Sequence, residues 1–228
     1  MIKPNNLMNW IDSLPRDLID ELHQRMTTRT YQDTEVLYRP GDRIPGLYRI
    51  IEGECRITDF SYEGKELLFF AVRKGDCFGE ICLIDDLPER TLVEARGPVK
   101  IGVLKKQEFD ELCMSHPQIL LALTRSLCSR LRYVGSLYSD ASMLNLRQRL
   151  VRSIHRIAVS NQKSPGSENR IELKISQLDL SRMLGVSRQS ISKELKSLEE
   201  EGLIDIEYGK VVINNMDTLQ CNYKDLLS

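Results

Sequence analysis

Gly79-Glu80-Ile81-Cys82-Leu83-Ile84-Asp85-Asp86-Leu87-Pro88-Glu89-Arg90-Thr91 has the residue types and spacing to hold one phosphate. A glycine admits close backbone approach, and a short helical turn after it aims free N–H groups at an anion. Arg90 supplies a fixed charge and the fork that phosphate oxygens fit. The Thr91 hydroxyl beside it adds a donor. Glu80 would repel a phosphate, but its carboxylate can accept from a sugar hydroxyl or brace an arginine. Together these groups suit a ribose carrying a phosphate, in a pocket too small for a triphosphate and with no obvious metal site.

A second chemistry-bearing string lies near the other end. Gly185-Val186-Ser187-Arg188-Gln189-Ser190-Ile191-Ser192-Lys193-Glu194-Leu195 reads as the junction of two short helices. Gly185 suits a left-handed C′ position, and Ser187 is a good N-cap. The first helix, Ser176 to Leu184, turns Leu178, Leu180 and Met183 inward. The second, reaching about Glu201, buries Ile191, Leu195 and Leu198, so Arg188, Gln189, Ser190 and Lys193 face outward. Such a pair places its second helix in the DNA major groove. An arginine forks onto guanine O6 and N7, and glutamine pairs best with adenine. Gln177, Ser187 and Ser190 suit phosphate positioning.

The elements around these strings follow from periodicity. Leu14-Pro15-Arg16-Asp17 opens a helix running to about Met26. From Thr30 to about Lys105 short strands alternate with turns: Glu35–Tyr38, Gly46–Ile51, Glu54–Thr58, Leu67–Val72 and Val99–Leu104. Pro40-Gly41-Asp42, Glu52-Gly53 and Gly75-Asp76 separate them, and Tyr62-Glu63-Gly64-Lys65 reads as a hairpin tip. Strands at this spacing predict a β-sandwich or jelly roll. Lys106 to Met114 makes a short helix, and Pro117 opens a long one reaching Leu144. Along the long helix Leu120, Thr124, Leu127, Leu131, Val134, Tyr138 and Ala141 recur at spacings of four and three. That is the seam of a two-stranded coiled coil. A second line, Leu123, Val134, Leu137 and Leu144, overlaps it, so the helix meets two partners: its own domain and a second subunit. Asn145-Leu146-Arg147 marks a hinge, and a helix from Leu146 to about Ser160 follows. The stretch 161–169 is an exposed loop, a partner contact or a plain connector. Ile171–Ile175 alternates like a strand. Leu203–Ile206 and Val211–Ile213 flank Tyr208-Gly209-Lys210 as a wing.

The first string resembles the phosphate-binding cassette of cyclic-nucleotide-binding domains, in the bacterial family of the cyclic AMP receptor protein and FNR. The Gly-Glu pair, the Arg ten residues after the Glu and the adjacent hydroxyl fall at the family's spacing. The second string, continued by Leu198-Glu199-Glu200-Glu201-Gly202-Leu203-Ile204, resembles the same family's DNA-binding signature. The resemblance covers nearly the whole chain. It implies an α+β protein: a jelly-roll nucleotide-binding domain over 1–116, a dimerisation helix over 117–144 and a winged helix-turn-helix over 145–228. It implies a homodimer on a palindromic operator, with RNA polymerase as a candidate further partner.

The resemblance assigns Glu80 to the ribose 2′-hydroxyl and Arg90 with Thr91 to the cyclic phosphate. Gly79, Ile81, Cys82 and Leu83 contribute backbone. Arg130 matches a family arginine near the phosphate and can pair with Glu80. Where the family carries a Thr-Ser pair that reaches adenine, this chain has Val134 and Gly135, whose side chains make no such bond. Tyr133, Ser136 or Tyr138 stand nearby as substitutes. The implied effector is cyclic AMP, then cyclic GMP, then a non-nucleotide or lost effector. Arg188 falls where the cyclic AMP receptor protein reads guanine, while Gln189 replaces a glutamate and Lys193 a second arginine. The operator is then related to that protein's half-site and not identical.

Composition narrows the classes further. The 41% hydrophobic and 29% charged content is that of a globular protein. No run of eighteen apolar residues appears, and the N-terminus lacks a signal peptide's apolar core, so a cytoplasmic protein away from membranes is expected. The net charge of -1 does not itself favour nucleic acid. From Arg147 to Lys193, however, ten Lys/Arg face three Asp/Glu, and Glu194–Glu207 reverses the sign. The six cysteines form no CxxC pair and lack the N-terminal cluster of an iron–sulfur sensor, so a metal site is not expected. Cys77 and Cys82 lie close enough to the cassette to leave redox modulation open. No nucleophile–base pair or Walker-type loop marks an enzyme. A nucleotide-binding module of a kinase or channel would lack residues 176 to 201.

Overall fold

The computed structural model describes residues 7–161 and 169–227. The expected loop at 161–169 falls outside them except at its ends. The chain divides into two compact units, with the division between Leu131 and Arg132.

In the first unit, helix α1 (Arg16–Arg25) leads into strands β1 (Thr27–Tyr31), β2 (Val36–Tyr38), β3 (Gly46–Phe60), β4 (Glu66–Arg73), β5 (Cys77–Phe78) and β6 (Leu92–Lys105), with α2 (Glu80–Asp85) between the last two. The sheet runs β1-β6-β3-β4, with β2 on β6 and β5 on β3, all antiparallel. The hairpin tip lies as expected: β3 pairs with β4 around it, and Gly64 takes a left-handed φ of 79°.

Three expectations are corrected. Gly46–Ile51 and Glu54–Thr58 are one strand, because Glu52-Gly53 is a bulge and not a turn. The register against β6 shifts on both sides of Glu52, and Gly53 has φ 87°. A bulge bends a strand without ending its ladder. Likewise Val99–Leu104 is only the second half of β6, which carries Leu92–Ala95 in the same strand. The third concerns β1, which precedes the expected start at Thr30. Its Thr-Thr-Arg-Thr-Tyr sequence is almost wholly exposed and carries no apolar alternation to announce it.

The chain before α1 is also structural. Leu7, Met8, Trp10 and Ile11 are buried, and the last two join a core with Leu18, Leu22, Leu47, Cys77, Leu83 and Leu104. Helix α3 (Lys106–Ser115) adds Phe109 and Leu112 to this core. Helix α4 (Gln118–Met143) adds Ile119 and Leu123.

The second unit starts within α4 and continues into α5 (Leu146–Asn161), β7 (Ile171–Leu173), α6 (Gln177–Leu184), α7 (Arg188–Glu200), β8 (Ile204–Glu207), β9 (Lys210–Ile213), α8 (Met216–Asn222) and α9 (Lys224–Leu227). A three-stranded antiparallel sheet, β7-β9-β8, forms the wing. Leu150, Ile154, Leu180, Ile191, Leu195 and Leu198 make the centre of its core. Asn145 caps α5 by accepting from the Gln148 amide at 2.9 Å, where the hinge was expected. Arg147 then ties α5 to α7 and to Tyr223. Its Nη2 donates to both Glu201 carboxylate oxygens at 2.6 Å, Nη1 to Ser197 Oγ at 2.9 Å, and Nε to Tyr223 Oη at 2.9 Å.

Candidate functional site

The first site is the turn from β5 through α2 to β6. Gly79 caps α2 in a left-handed conformation, φ 92°. The dihedral calls for glycine, and a Cβ there would also lie 2.6 Å from Ile44 Cδ1 and 3.2 Å from Gly46 O, so Ile44 would have to shift. Glu80 follows in the first turn of α2 and is only 1% exposed. A lone buried carboxylate is costly. Its partner is Arg130, whose Nη1 donates to Glu80 Oε1 from α4. Arg130 Nε donates at 2.8 Å to the Leu7 carbonyl, which also accepts from Ser126 Oγ at 2.6 Å. Glu80 Oε2 and Arg130 Nη2 are buried and find no hydrogen-bond partner among the described residues. One acceptor and one donor therefore remain unused in a place that already holds a matched ion pair.

Arg90 is exposed and Thr91 half-buried, immediately before β6. Arg90 forms no ion pair among the described residues, so its guanidinium is free to take an anion. Ile81 is exposed, Cys82 half-buried and Leu83 in the core. Glu89 escaped sequence reasoning. Its half-buried carboxylate lies beside the Cys82 thiol, the Tyr38 hydroxyl and the Arg90 amide. Burial and the Glu80 carboxylate push Glu89 above the usual carboxylate range. Burial and Glu89 push the Cys82 thiol up to about 12, and burial pushes Cys77 upward as well. A thiol held protonated is a poor nucleophile, which counts against the redox alternative.

Tyr133, Val134 and Gly135 lie past the division, in the second unit. Tyr133 is half-buried, with the Arg156 guanidinium carbon 5.7 Å from its ring centroid. Burial pushes its hydroxyl pKa upward. Val134 and Gly135 are exposed, and a Cβ on Gly135 would meet nothing within 4 Å.

The second site is the α6–α7 pair. Ser176 and Asp179 form a capping box at the start of α6, and Gly185 ends it with φ 65°. Ser187 caps α7, its Oγ accepting from Ser190 N at 3.1 Å and lying 2.8 Å from Ser190 Oγ. Those two hydroxyls therefore serve the cap first. Arg188, Gln189 and Lys193 are exposed on α7, and Gln177 is half-buried at the first position of α6. Leu178 corrects the expectation that it turns inward: it is 43% exposed. Residues two apart on a helix differ by about 200°, so Leu180 inward forces Leu178 outward. At the wing, Tyr208 is fully exposed between β8 and β9, an aromatic that only the folded hairpin singles out.

Comparison with known proteins matches residues 28–116 to a cyclic nucleotide-binding domain and residues 148–221 to a Crp-like helix-turn-helix domain. The chain belongs to the CRP/FNR family of transcription regulators. It is 26% identical over 184 residues to the cAMP-activated global transcriptional regulator CRP of Pasteurella multocida, covering 80% of this chain and 87% of that protein. It is 26% identical over 199 residues to the cAMP-activated global transcriptional regulator Vfr of Pseudomonas aeruginosa, covering 86% and 92%. The solved structure of the c-di-GMP-responsive global regulator CLP of Xanthomonas campestris superposes with a TM-score of 0.74 at 24% identity, covering 87% of this chain and 99% of that one. This CRP/FNR chain is thus a DNA-binding transcription regulator with a cyclic-nucleotide-binding domain, and the relatives it matches are regulators and not enzymes. No helix among the described residues is long and apolar enough to cross a membrane.

Proposed function

We propose that this regulator is switched by a cyclic nucleotide, cyclic AMP first, and binds a palindromic DNA operator as a dimer in the cytoplasm. The observation that carries the reading is the buried Glu80–Arg130 pair with one acceptor and one donor unused. A ribose hydroxyl can donate to Glu80 Oε2, and Arg130 Nη2 can donate to a ligand oxygen. The cyclic phosphate then falls to Arg90, Thr91 and the amides of α2. The match to the cAMP-activated regulators supports cyclic AMP. A second reading, another cyclic nucleotide, is favoured by Val134 and Gly135, which offer no side-chain hydrogen bond to an adenine amino group. The c-di-GMP-responsive CLP makes a cyclic dinucleotide a specific candidate. RNA polymerase is the further partner this reading implies.

The test is calorimetric titration with cyclic AMP, cyclic GMP and cyclic di-GMP, paired with fluorescence anisotropy on a palindromic operator at fixed salt. Binding of one nucleotide with a change in DNA affinity is expected. No binding by any of the three, with DNA affinity unchanged, overturns the effector reading.

On the DNA side, Arg188→Ala is expected to cost about 1–3 kcal/mol and to relax the preference for guanine at one position of each half-site. A uniform loss across all operator variants would make Arg188 a phosphate contact instead.

Coupling passes through α4. Gly135 sits in the helix interior, where glycine is about 1 kcal/mol worse than alanine. An effector that orders this turn sets the recognition helices about 34 Å apart, one DNA turn. Because a Cβ at 135 meets nothing, Gly135→Ala adds helix stability without a clash. It is expected to raise ligand-free operator affinity up to about fivefold, since less ordering free energy remains for the ligand to supply. Equal ligand-free affinity in the two chains counts against this switch.

A further inference from the structure

We propose that the segment Leu7–Asp12 is a strap that positions Arg130, and through it Glu80, for the effector. The proposal rests on the effector reading above for its ligand and on separate contacts for its geometry. A guanidinium is planar, so fixing two of its nitrogens fixes the direction of the third. In Arg130, Nη1 is held by Glu80 and Nε by the Leu7 carbonyl, which fixes the place of Nη2, left without a hydrogen-bond partner among the described residues. Without Leu7 the arginine has one anchor and can turn about it.

The strap is itself seated at several points. Ser126 Oγ, one helical turn before Arg130, donates to the same Leu7 carbonyl. The Met8 carbonyl accepts from the Cys77 amide at 2.9 Å, two residues before the cassette glycine. Asn9 packs so closely on Gly75 that a Cβ there would lie 2.8 Å from its side-chain nitrogen. Asp12 pairs with Arg49 of β3 at 2.5 Å. Leu7 itself is buried. The strap therefore touches α4, β3, β5 and the turn before β5, the elements that carry or precede Arg130 and Glu80. Ligand that draws on Arg130 Nη2 gains from a preset guanidinium, because the ordering is already done.

The first test needs no ligand. Hydrogen exchange of the Cys77 amide is followed by NMR in the full chain, in Arg130→Lys and in Arg90→Leu. Lysine lacks the Nε–H, so Arg130→Lys is expected to speed that exchange about tenfold, the equivalent of one charge-assisted hydrogen bond. Arg90→Leu should leave it unchanged. Equal exchange in Arg130→Lys and the unmutated chain overturns the strap. The second test is affinity for cyclic AMP by calorimetry. Leu7→Gly unseats the strap without touching the cassette and is expected to weaken binding about tenfold. Leu14→Ala, at another buried position beyond the strap, should lower stability and leave affinity alone. Unchanged affinity in Leu7→Gly overturns the proposal. If the unmutated chain binds no cyclic nucleotide, the effector reading fails, and the amide exchange still decides whether Leu7 holds Arg130.

Discussion

A Leu131→Glu chain is expected to sediment as a monomer at micromolar concentration, where the unmutated chain sediments as a dimer. The four-three seam of α4 points to this position. Leu131 is 74% exposed in the single chain, Tyr138 is 76% exposed, and Leu120 and Val134 are also exposed. Exposed apolar residues repeating at heptad spacing along one helix face need a partner. Leu127, by contrast, packs against the core of its own unit, so Leu127→Glu would confuse unfolding with dissociation. Leu131 is free of that ambiguity. A surface leucine touching little in its own chain can become glutamate at a folding cost within about 0.5 kcal/mol. In a dimer seam the same glutamate is buried near its symmetry mate without a counter-ion. An uncompensated buried charge costs about 3–5 kcal/mol, at least a hundredfold in the dimer constant. The checks are sedimentation for assembly and far-UV circular dichroism for fold. A monomeric unmutated chain, or a Leu131→Glu chain that remains dimeric, removes the coiled-coil reading.

Most of the cassette was legible because its chemistry resides in side chains at fixed spacing. Gly79, Glu80, Arg90 and Thr91 are read one residue at a time, and the Glu80–Arg130 pair was reachable from the family's pattern. The helix-turn-helix was legible for the same reason: Gly185 and Ser187 are boundary residues with one structural use each. What stayed hidden depends on main chain or on phase. The Leu7 carbonyl that holds Arg130 has no sequence signature, since every residue carries a carbonyl. Glu89 carries no signal of its own in the string, and only the fold brings Tyr38 and Cys82 to it. Glu52-Gly53 has the composition of a turn, and only the ladder on both sides of it reveals a bulge. Hydrophobicity alone turns Leu178 inward, whereas the phase of α6 set by Leu180 turns it outward. The polar strand Thr27–Tyr31 is held by pairing with β6, a tertiary cause that its own residues do not record.

Arg90→Leu is expected to weaken cyclic-nucleotide binding by about 2–5 kcal/mol, the range for truncating one partner of a desolvated, hydrogen-bonded charge pair. The loss should appear in affinity and not in fold, because Arg90 is exposed and makes no ion pair among the described residues. Substituting such a residue changes stability by about 0.5 kcal/mol or less. Arg90→Lys separates charge from geometry: it keeps the attraction and loses the fork, so its affinity should fall between the two. Salt offers a second separation. If phosphate is held at a rim open to solvent, raising ionic strength weakens the unmutated chain more than Arg90→Leu, since the mutant has one fewer charge to screen. Glu89 sharpens the case. Its half-buried carboxylate lies beside the same turn and opposes an incoming anion when ionised. Removing Arg90 leaves that repulsion uncompensated, so the deficit of Arg90→Leu should shrink at acidic pH, where Glu89 takes up a proton. Calorimetric titration of the three chains at two salt concentrations and two pH values reads each of these differences. Equal affinity in Arg90→Leu and the unmutated chain would place the effector outside the Gly79–Thr91 cassette.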